Sequence, residues 1–449
     1  MTVFVLDGAS VATCDAAGTE IATGYVVVDG NRVAAVGGGS VPDAYRDAER
    51  IDAGGCLVTP GLVNTHHHLY QWATRGYATD ATLFQWLDTL YPIWARLDED
   101  LVHAAAGANL GWLALSGCST TTDHNYVFPR NGGDLLGAEI RAAQQIGVRF
   151  HPTRGSMNLG VSDGGLPPDE VVEEHDAVLA ASAEAIARWH DPSFDSMLRI
   201  ALAPCSPFSV TGELMRDSAA LAREHGVRLH THLAETADED AFCVAQFGRT
   251  PAEYVDELGW LAPDVWLAHC VHLSDDAIAR FAATGTSVAH CPTSNGRLGA
   301  GVARTHDLLA AGVTVGLGTD GAASNESGRL SDEPHQALLA ARGAGGPLAL
   351  DVRQALRLAT MGGAGCLGRQ DEIGSLEPGK LADLAVWRLD GLGIAGIADP
   401  VCALVLGMAP LDRLIVNGET VVAGGALQSA DSAELAAAAA RASARIASA

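Results

Sequence analysis

The chain has 449 residues, 48% of them hydrophobic, and a formal net charge of −26. That charge argues against nucleic acid or an anionic membrane as partner, since both are bound through clustered cations. The nine cysteines are scattered without a CxxC pair, which fits reduced thiols in a cytoplasmic protein better than a disulfide framework.

Residues 1–56 read as short β segments with turns, such as "VFVLDGASV" and "GYVVVDGNRVAAVGGG". The start of the chain has neither a basic n-region nor a long apolar core, so no signal peptide is expected. No run of about 18 apolar residues exists anywhere, so no membrane span is expected either. From 57 to 370 a short apolar run is followed by a longer amphipathic stretch, eight times over. The runs end in "LVNTHHH", "STTTDHN", "VRFHPTRG", "MLRIALAPCS", "VRLHTHLAE", "VWLAHCVH", "TSVAHCPTSN" and "VTVGLGTDG". Between them lie helical stretches such as "GELMRDSAALAREHG" and "SDDAIARFAATG", the second with Ser274 as N-cap. Eight such units predict an α/β fold, a (β/α)8 TIM-like barrel. A doubly wound open sheet is the runner-up, disfavoured by the missing Gly-rich phosphate loop. Residues 371–426 return to short β segments, and 1–56 and 371–426 together predict a small β-sandwich built from both termini. Residues 427–449 predict a solvated C-terminal helix.

Nearly every strand candidate ends in a polar residue just past its apolar core. In a parallel barrel all strand C-termini open on one face, so these residues converge there. His66 and His68 lie two apart and share a face, whereas His67 points away. Such a pair can chelate a metal, although HxH alone is a weak signal that packed or surface histidines also produce. "HTHLAE" offers a second HxH, in which His232 is the better ligand because Glu235 follows where the chain leaves the strand. There the carboxylate can shuttle a proton, and His230 reads as a packed histidine. His269 ends its apolar run in "LAHCVH", with His272 beyond it on the loop. Asp320 stands in "GLGTDGAASN", which by itself could be only a tight turn.

Taken together, "PGLVNTHHH", "HTHLAE", "LAHCVHL", "CPTSN", "GTDGAASN" and "IGSLEPGKLADLAVW" resemble the amidohydrolase superfamily, in its mononuclear aminohydrolase branch. The resemblance spans almost the whole chain. It implies that His66, His68, His232 and Asp320 hold one divalent metal, usually Zn2+. Fe2+ is also accepted by His/carboxylate sets. It implies Glu235 as general acid/base and His269 as the group polarising the attacking water or the tetrahedral oxygen. No lysine stands in "ALAPCSPFSV" to bridge a second metal. The reaction implied is hydrolytic deamination of an amino-substituted N-heteroaromatic ring, with Asp320 accepting a proton from water and Glu235 protonating the ring nitrogen.

Within that branch, "NTHHHLYQ", "RGSM", "DGGLPPD", "ALAPCSPFSV" and "RLHTHLAET" look most like the 8-oxoguanine deaminases and the hydroxydechloroatrazine ethylaminohydrolases. This implies 8-oxoguanine plus water giving urate and ammonia, with triazine hydrolysis or deamination of guanine or isoxanthopterin as alternatives. Gln71, three residues past His68, matches the base-binding glutamine of guanine deaminases. Those enzymes carry an arginine after the fourth-strand proline, where this chain has Cys205, a departure that puts guanine in doubt. Arg154, Asn125 and Trp72 are further pocket candidates, with the alternative that Arg154 pairs with a carboxylate. A non-catalytic barrel relative would show substitutions among the ligands or Glu235, and all are present. Related barrels often dimerise, so a homodimer is compatible with the resemblance.

Overall fold

The computed structural model describes residues 3–448. Met1, Thr2 and Ala449, the outermost residues of the expected sandwich and tail segments, lie outside the described residues. Eight parallel strands close into a barrel: Leu62–Asn64, Cys118–Asn125, Arg149–Ser156, Ala201–Pro204, Leu229–Leu233, Val265–His269, Ser287–His290 and Val315–Leu317. The eighth pairs back onto the first through Leu317 and Asn64, which closes the ring. Every residue of these strands is buried, as expected when side chains on one face fill the barrel and those on the other meet the outer helices.

The intervening helices start and stop where the sequence places the signals. Thr211 caps helix Gly212–His225 by accepting from the Leu214 N–H, and Gly226 ends it at φ 67°. Ser274 caps Asp275–Thr284 in the same way, and Gly285 ends it at φ 73°. Among the described residues no helix is long and apolar enough to cross a membrane.

Both ends of the chain contribute to one mixed nine-stranded sheet. The small β unit expected from the termini is therefore hydrogen-bonded throughout, not held by face-to-face packing alone. Its two halves join where Cys56–Pro60 runs antiparallel to Leu384–Arg388. Phe4, Leu6, Val26 and Val28 then share one apolar cluster with Leu384, Val386 and Ile415. Because Cys56–Pro60 belongs to this sheet, the chain crosses into the barrel at Gly61, later than residue 57. A side chain at Gly61 would bring its Cβ within 2.3 Å of Ser119 Oγ, so only glycine fits the crossing.

The C-terminal helix, Ser432–Ser448, is not solvated all round as expected. It buries Ala439, Ala442 and Ile446 and lies along helix Glu99–Leu115. Gly107 and Gly111 on that helix leave room for Leu435, which sits 3.1–3.3 Å from where their Cβ atoms would be.

Barrel and sheet are tied by a buried ion pair. Arg149 donates from Nε and Nη2 to the two oxygens of Asp383, each at 3.0 Å, and Asp383 also accepts from the Asn417 N–H at 2.8 Å. The two side chains are 0% and 2% exposed. Asp383→Ala would strand the guanidinium without its carboxylate, which costs about 3–5 kcal/mol. Urea denaturation should show a correspondingly earlier midpoint, and an unchanged midpoint would mean that the pair contributes little.

Candidate active site

Four polar residues from three of the strand ends meet at the C-terminal mouth of the barrel. His66 and His68 leave the first strand, His232 lies in the fifth and Asp320 follows the eighth. His68 Nε2 stands 3.1 Å from His232 Nε2 and 3.2 Å from Asp320 Oδ1, and His66 Nε2 is 3.3 Å from the same oxygen. All four residues are at most 8% exposed.

The other ring nitrogens define the tautomers. His68 Nδ1 donates to the His124 carbonyl at 2.7 Å, and His232 Nδ1 to the Cys205 carbonyl at 2.6 Å. His230 Nδ1 donates to the Trp266 carbonyl at 2.7 Å, which leaves its Nε2 to accept from His66 Nδ1 at 2.8 Å. His66 and His68 therefore turn unprotonated Nε2 atoms toward Asp320, and the unprotonated Nε2 of His232 lies beside that of His68. Burial holds His66 and His232 well below the ordinary imidazole pKa, so protons do not fill the gap. Lone pairs and a carboxylate crowded together without protons repel one another unless a cation lies among them. The donor set thus fits a divalent metal.

Asp320 is held by more than its neighbours on the ring. Its Oδ2 accepts from Ser294 and Ser324 hydroxyls at 2.6 and 2.9 Å, and its Oδ1 from the Gly321 N–H at 2.7 Å. Ala234, His269, Cys270 and Asp320 all sit at positive φ, between 49° and 69°. These non-glycine left-handed residues cluster where the fifth, sixth and eighth strands end, as strained backbone does at functional sites.

Glu235 and His269 face each other across the mouth, Oε2 to Nε2 at 3.7 Å. His269 Nδ1 donates to Asn295 Oδ1 at 2.9 Å, so its Nε2 is free to accept from a bound group. Glu235 is aimed by Glu239, whose carboxylate accepts from the backbone N–H groups of Ala234 and Glu235 at 2.9 and 2.8 Å. Burial, helped by the Asp320 charge, pushes the Glu235 carboxyl up to about 8. A divalent cation beside it would pull that value back toward neutrality.

Above these groups lies a pocket with about 370 Å³ of empty space, part of it open to solvent. Leu83, Trp86, Leu87 and Tyr91 of helix Leu83–Trp94 form an apolar wall, with Phe208 and Leu298 opposite the polar floor. Gln71 and Cys205 are among the residues that line it. The Gln71 Oε1 is buried without a hydrogen-bond partner among the described residues. Burial pushes the Cys205 thiol up to about 12, so it stays protonated and is no nucleophile.

Three expected pocket residues are placed elsewhere. Arg154 is turned onto Glu173, at 2.6 and 3.1 Å, with its guanidinium 3.7 Å above the Phe128 ring. Its charge is spent in that pair. Trp72 points away from the pocket, stacked under the Arg75 guanidinium at 4.1 Å. Asn125 uses its Oδ1 to accept from the Val127 N–H at 3.2 Å at the end of the second strand. Conversely, sequence reasoning missed His124, whose ring stacks on His232 with centroids 4.7 Å apart. It also missed Ser294, Ser324, Asn295 and Glu239. Of these, only His124 carried a signal, its place at a strand end in "STTTDHN".

The profile of the amidohydrolase family matches residues 57–421. The 8-oxoguanine deaminase of Pseudomonas aeruginosa is 47% identical over 93% of this chain and 93% of its own. The hydroxydechloroatrazine ethylaminohydrolase of Pseudomonas sp. strain ADP is 38% identical over 87% of this chain and 83% of its own. Among solved structures, an atrazine chlorohydrolase of Arthrobacter aurescens TC1 complexed with zinc superposes with a TM-score of 0.93 at 34% identity, covering 98% of this chain and all of that one.

Proposed function

Since the chain belongs to the amidohydrolase family, we propose that it is a metal-dependent aminohydrolase that converts 8-oxoguanine and water to urate and ammonia, with zinc as its metal. The observation that carries this reading is the convergence of three Nε2 atoms and Asp320 beneath a pocket lined by Gln71, Cys205 and Glu235. His66, His68, His232 and Asp320 would hold the ion. When bound, a divalent cation there supplies Lewis acidity that makes a neighbouring water easier to deprotonate.

The side chains account for the rest. The apolar wall of Leu83, Trp86 and Leu87 suits the face of a flat ring, and the Gln71 carboxamide offers an acceptor to ring N–H groups. As the water oxygen bonds to the amidine carbon, Asp320 is placed to take one of its protons. The π pair of the C=N bond moves to the ring nitrogen, which Glu235 protonates. A carboxyl whose pKa burial has raised is suited to that acid role. His269 Nε2 faces the developing tetrahedral oxygen and accepts a hydrogen bond from its hydroxyl. When the carbonyl re-forms, the hydroxyl proton passes to the amine, which leaves as ammonia, and the proton held by Asp320 returns to Glu235. Water thus supplies one proton to the ring and one to the leaving group.

Ammonia release by zinc-loaded protein, with 8-oxoguanine, guanine, isoxanthopterin and an amino-hydroxytriazine compared side by side, tests the proposal. Preferential turnover of 8-oxoguanine supports it. Preference for a triazine or pterin would retain the chemistry and replace the substrate.

Gln71 provides a finer test. A Cβ on Gly321 would fall 1.8 Å from Gln71 Oε1, so Gly321→Ala must push the carboxamide aside. Losing one hydrogen bond to the ring should raise KM about 3- to 10-fold for either Gln71→Ala or Gly321→Ala. In the double variant the two effects should not add, because they remove the same contact. Full additivity would show that Gly321 acts elsewhere.

A further inference from the structure

At the opposite mouth of the barrel, remote from the histidines, lies a cluster of arginines. Arg149 opens the third strand, Arg199 and Arg228 stand just before the fourth and fifth, and Arg369 follows the helical segment after the eighth. The cluster is knit through shared acceptors. Arg149 Nη1 and Arg369 Nη2 both donate to the Ser196 carbonyl, at 2.5 and 2.9 Å. Arg199 and Arg369 share the Glu372 carboxylate, at 2.8 and 2.6 Å. Arg228 lies against the next residue back, where a Cβ on Gly368 would be 2.8 Å from its Nη1. Beside them, burial and the charges of Arg369, Arg199 and Arg228 hold His151 well below its ordinary pKa.

Two carboxylates serve three of these four guanidiniums. Asp383 takes both forks of Arg149, and Glu372 is divided between Arg199 and Arg369. Arg228 is left over. Its Nε and Nη2 are fully covered and have no hydrogen-bond partner among the described residues. Asp264, whose charge reaches it, is already bonded to Arg223 Nε at 3.0 Å. Arg199 Nε, Arg369 Nη1 and His151 Nδ1 are likewise covered and unpartnered. A covered charge without a partner is costly, so such a cluster calls for a counter-ion. Arg228 also borders a cleft that opens at the barrel floor, lined by Ser287, Thr314 and Gln370.

We infer that this cleft is a binding site for a tetrahedral oxyanion, inorganic phosphate or sulfate, with the edge of the Arg228 guanidinium that borders the cleft beside Gly368 as its main donor. A guanidinium N–H gives such an anion a charge-assisted hydrogen bond, and the hydroxyl and amide groups of Ser287, Thr314 and Gln370 in the lining supply further donors. The site is linked to the active-site mouth through aromatic packing. Arg228 lies 5.8 Å from the Trp266 ring centroid, Trp266 stacks on His230 at 4.5 Å, and His230 accepts from His66. A bound anion at the floor therefore braces the strand that carries His230 and His232.

The test uses the metal-loaded full-length protein in phosphate-free buffer at constant ionic strength. Adding phosphate should raise the melting temperature saturably, by about 3 °C at a hundredfold excess over Kd. Chloride at the same ionic strength should not, and Arg228→Gln should lose the shift. No shift in the wild type, an equal shift with chloride, or a shift retained in Arg228→Gln would overturn the inference. Should that variant fail to fold, crystals of the wild-type protein soaked in tungstate decide. Anomalous density within hydrogen-bonding distance of Arg228 is the expected result, and density only at the histidine centre, or none, refutes the site.

Discussion

Glu235→Gln is expected to lower kcat by roughly 10³-fold while leaving the metal content of the protein unchanged, since positioned proton transfer contributes about 10² to 10⁴. The amide keeps the shape of the side chain and cannot carry the proton to the ring nitrogen. The position is well defined for that purpose. Glu235 is 4% exposed, its backbone N–H is anchored on Glu239, and the preceding Ala234 sits at φ 50° to aim it at the pocket. Steady-state kinetics beside elemental analysis of the same preparation separate the two quantities. A kcat within tenfold of the wild type would remove Glu235 from the proton path. Loss of metal together with activity would make it a ligand instead.

His232→Ala should abolish metal binding and turnover together. Its Nε2 stands 3.1 Å from that of His68, which in turn faces Asp320 Oδ1, and a hydrolytic site of this kind keeps only a few protein ligands around one ion. A chelator should reproduce the effect in the wild-type protein. It should also lower the melting temperature, because removing the ion restores repulsion among the buried Nε2 lone pairs and the Asp320 carboxylate. Adding zinc should recover both stability and activity. In His232→Ala the melting temperature should no longer respond to the chelator. Stoichiometric metal in that variant, with unchanged affinity, would place the ion elsewhere, the alternative grouping of His66, His269 and Asp320 being the next candidate.

The two variants also distinguish the layers of the site. Glu235 acts on protons and depends on the rigid turn behind it, whereas His232 acts on the ion and depends on the Cys205 carbonyl that orients its ring. Ser294 and Ser324 belong to the second kind, since both hold the Asp320 carboxylate by hydrogen bonds.

Much of this arrangement was legible from local pattern. An apolar run of strand length ending in a polar residue, repeated eight times, together with the missing Gly-rich phosphate loop, favours a parallel barrel over an open sheet. Closing that barrel brings every strand C-terminus to one mouth. Two-residue alternation then separates His66 and His68 from His67, which instead turns its Nδ1 to the Asp320 carbonyl and Thr319 Oγ1. The same periodicity and its caps gave the helices Gly212–His225 and Asp275–Thr284.

Other features depend on neighbours that are distant in the chain, and no local pattern encodes those. Arg154 at a strand end has the same local signature as a pocket residue. Only the fold brings Glu173 to it and removes its charge from the site. Asn295 and Glu239 read as ordinary polar residues near helix starts, and become positioning groups because the barrel register sets them beside His269 and Glu235. The left-handed residues at Ala234, His269 and Asp320 follow from how each strand must turn to present its side chain inward. The chemistry of the strand ends was therefore written in residue type and spacing, which act over a few residues. Which groups touch was decided by barrel closure and register, which act between residues tens to hundreds of positions apart.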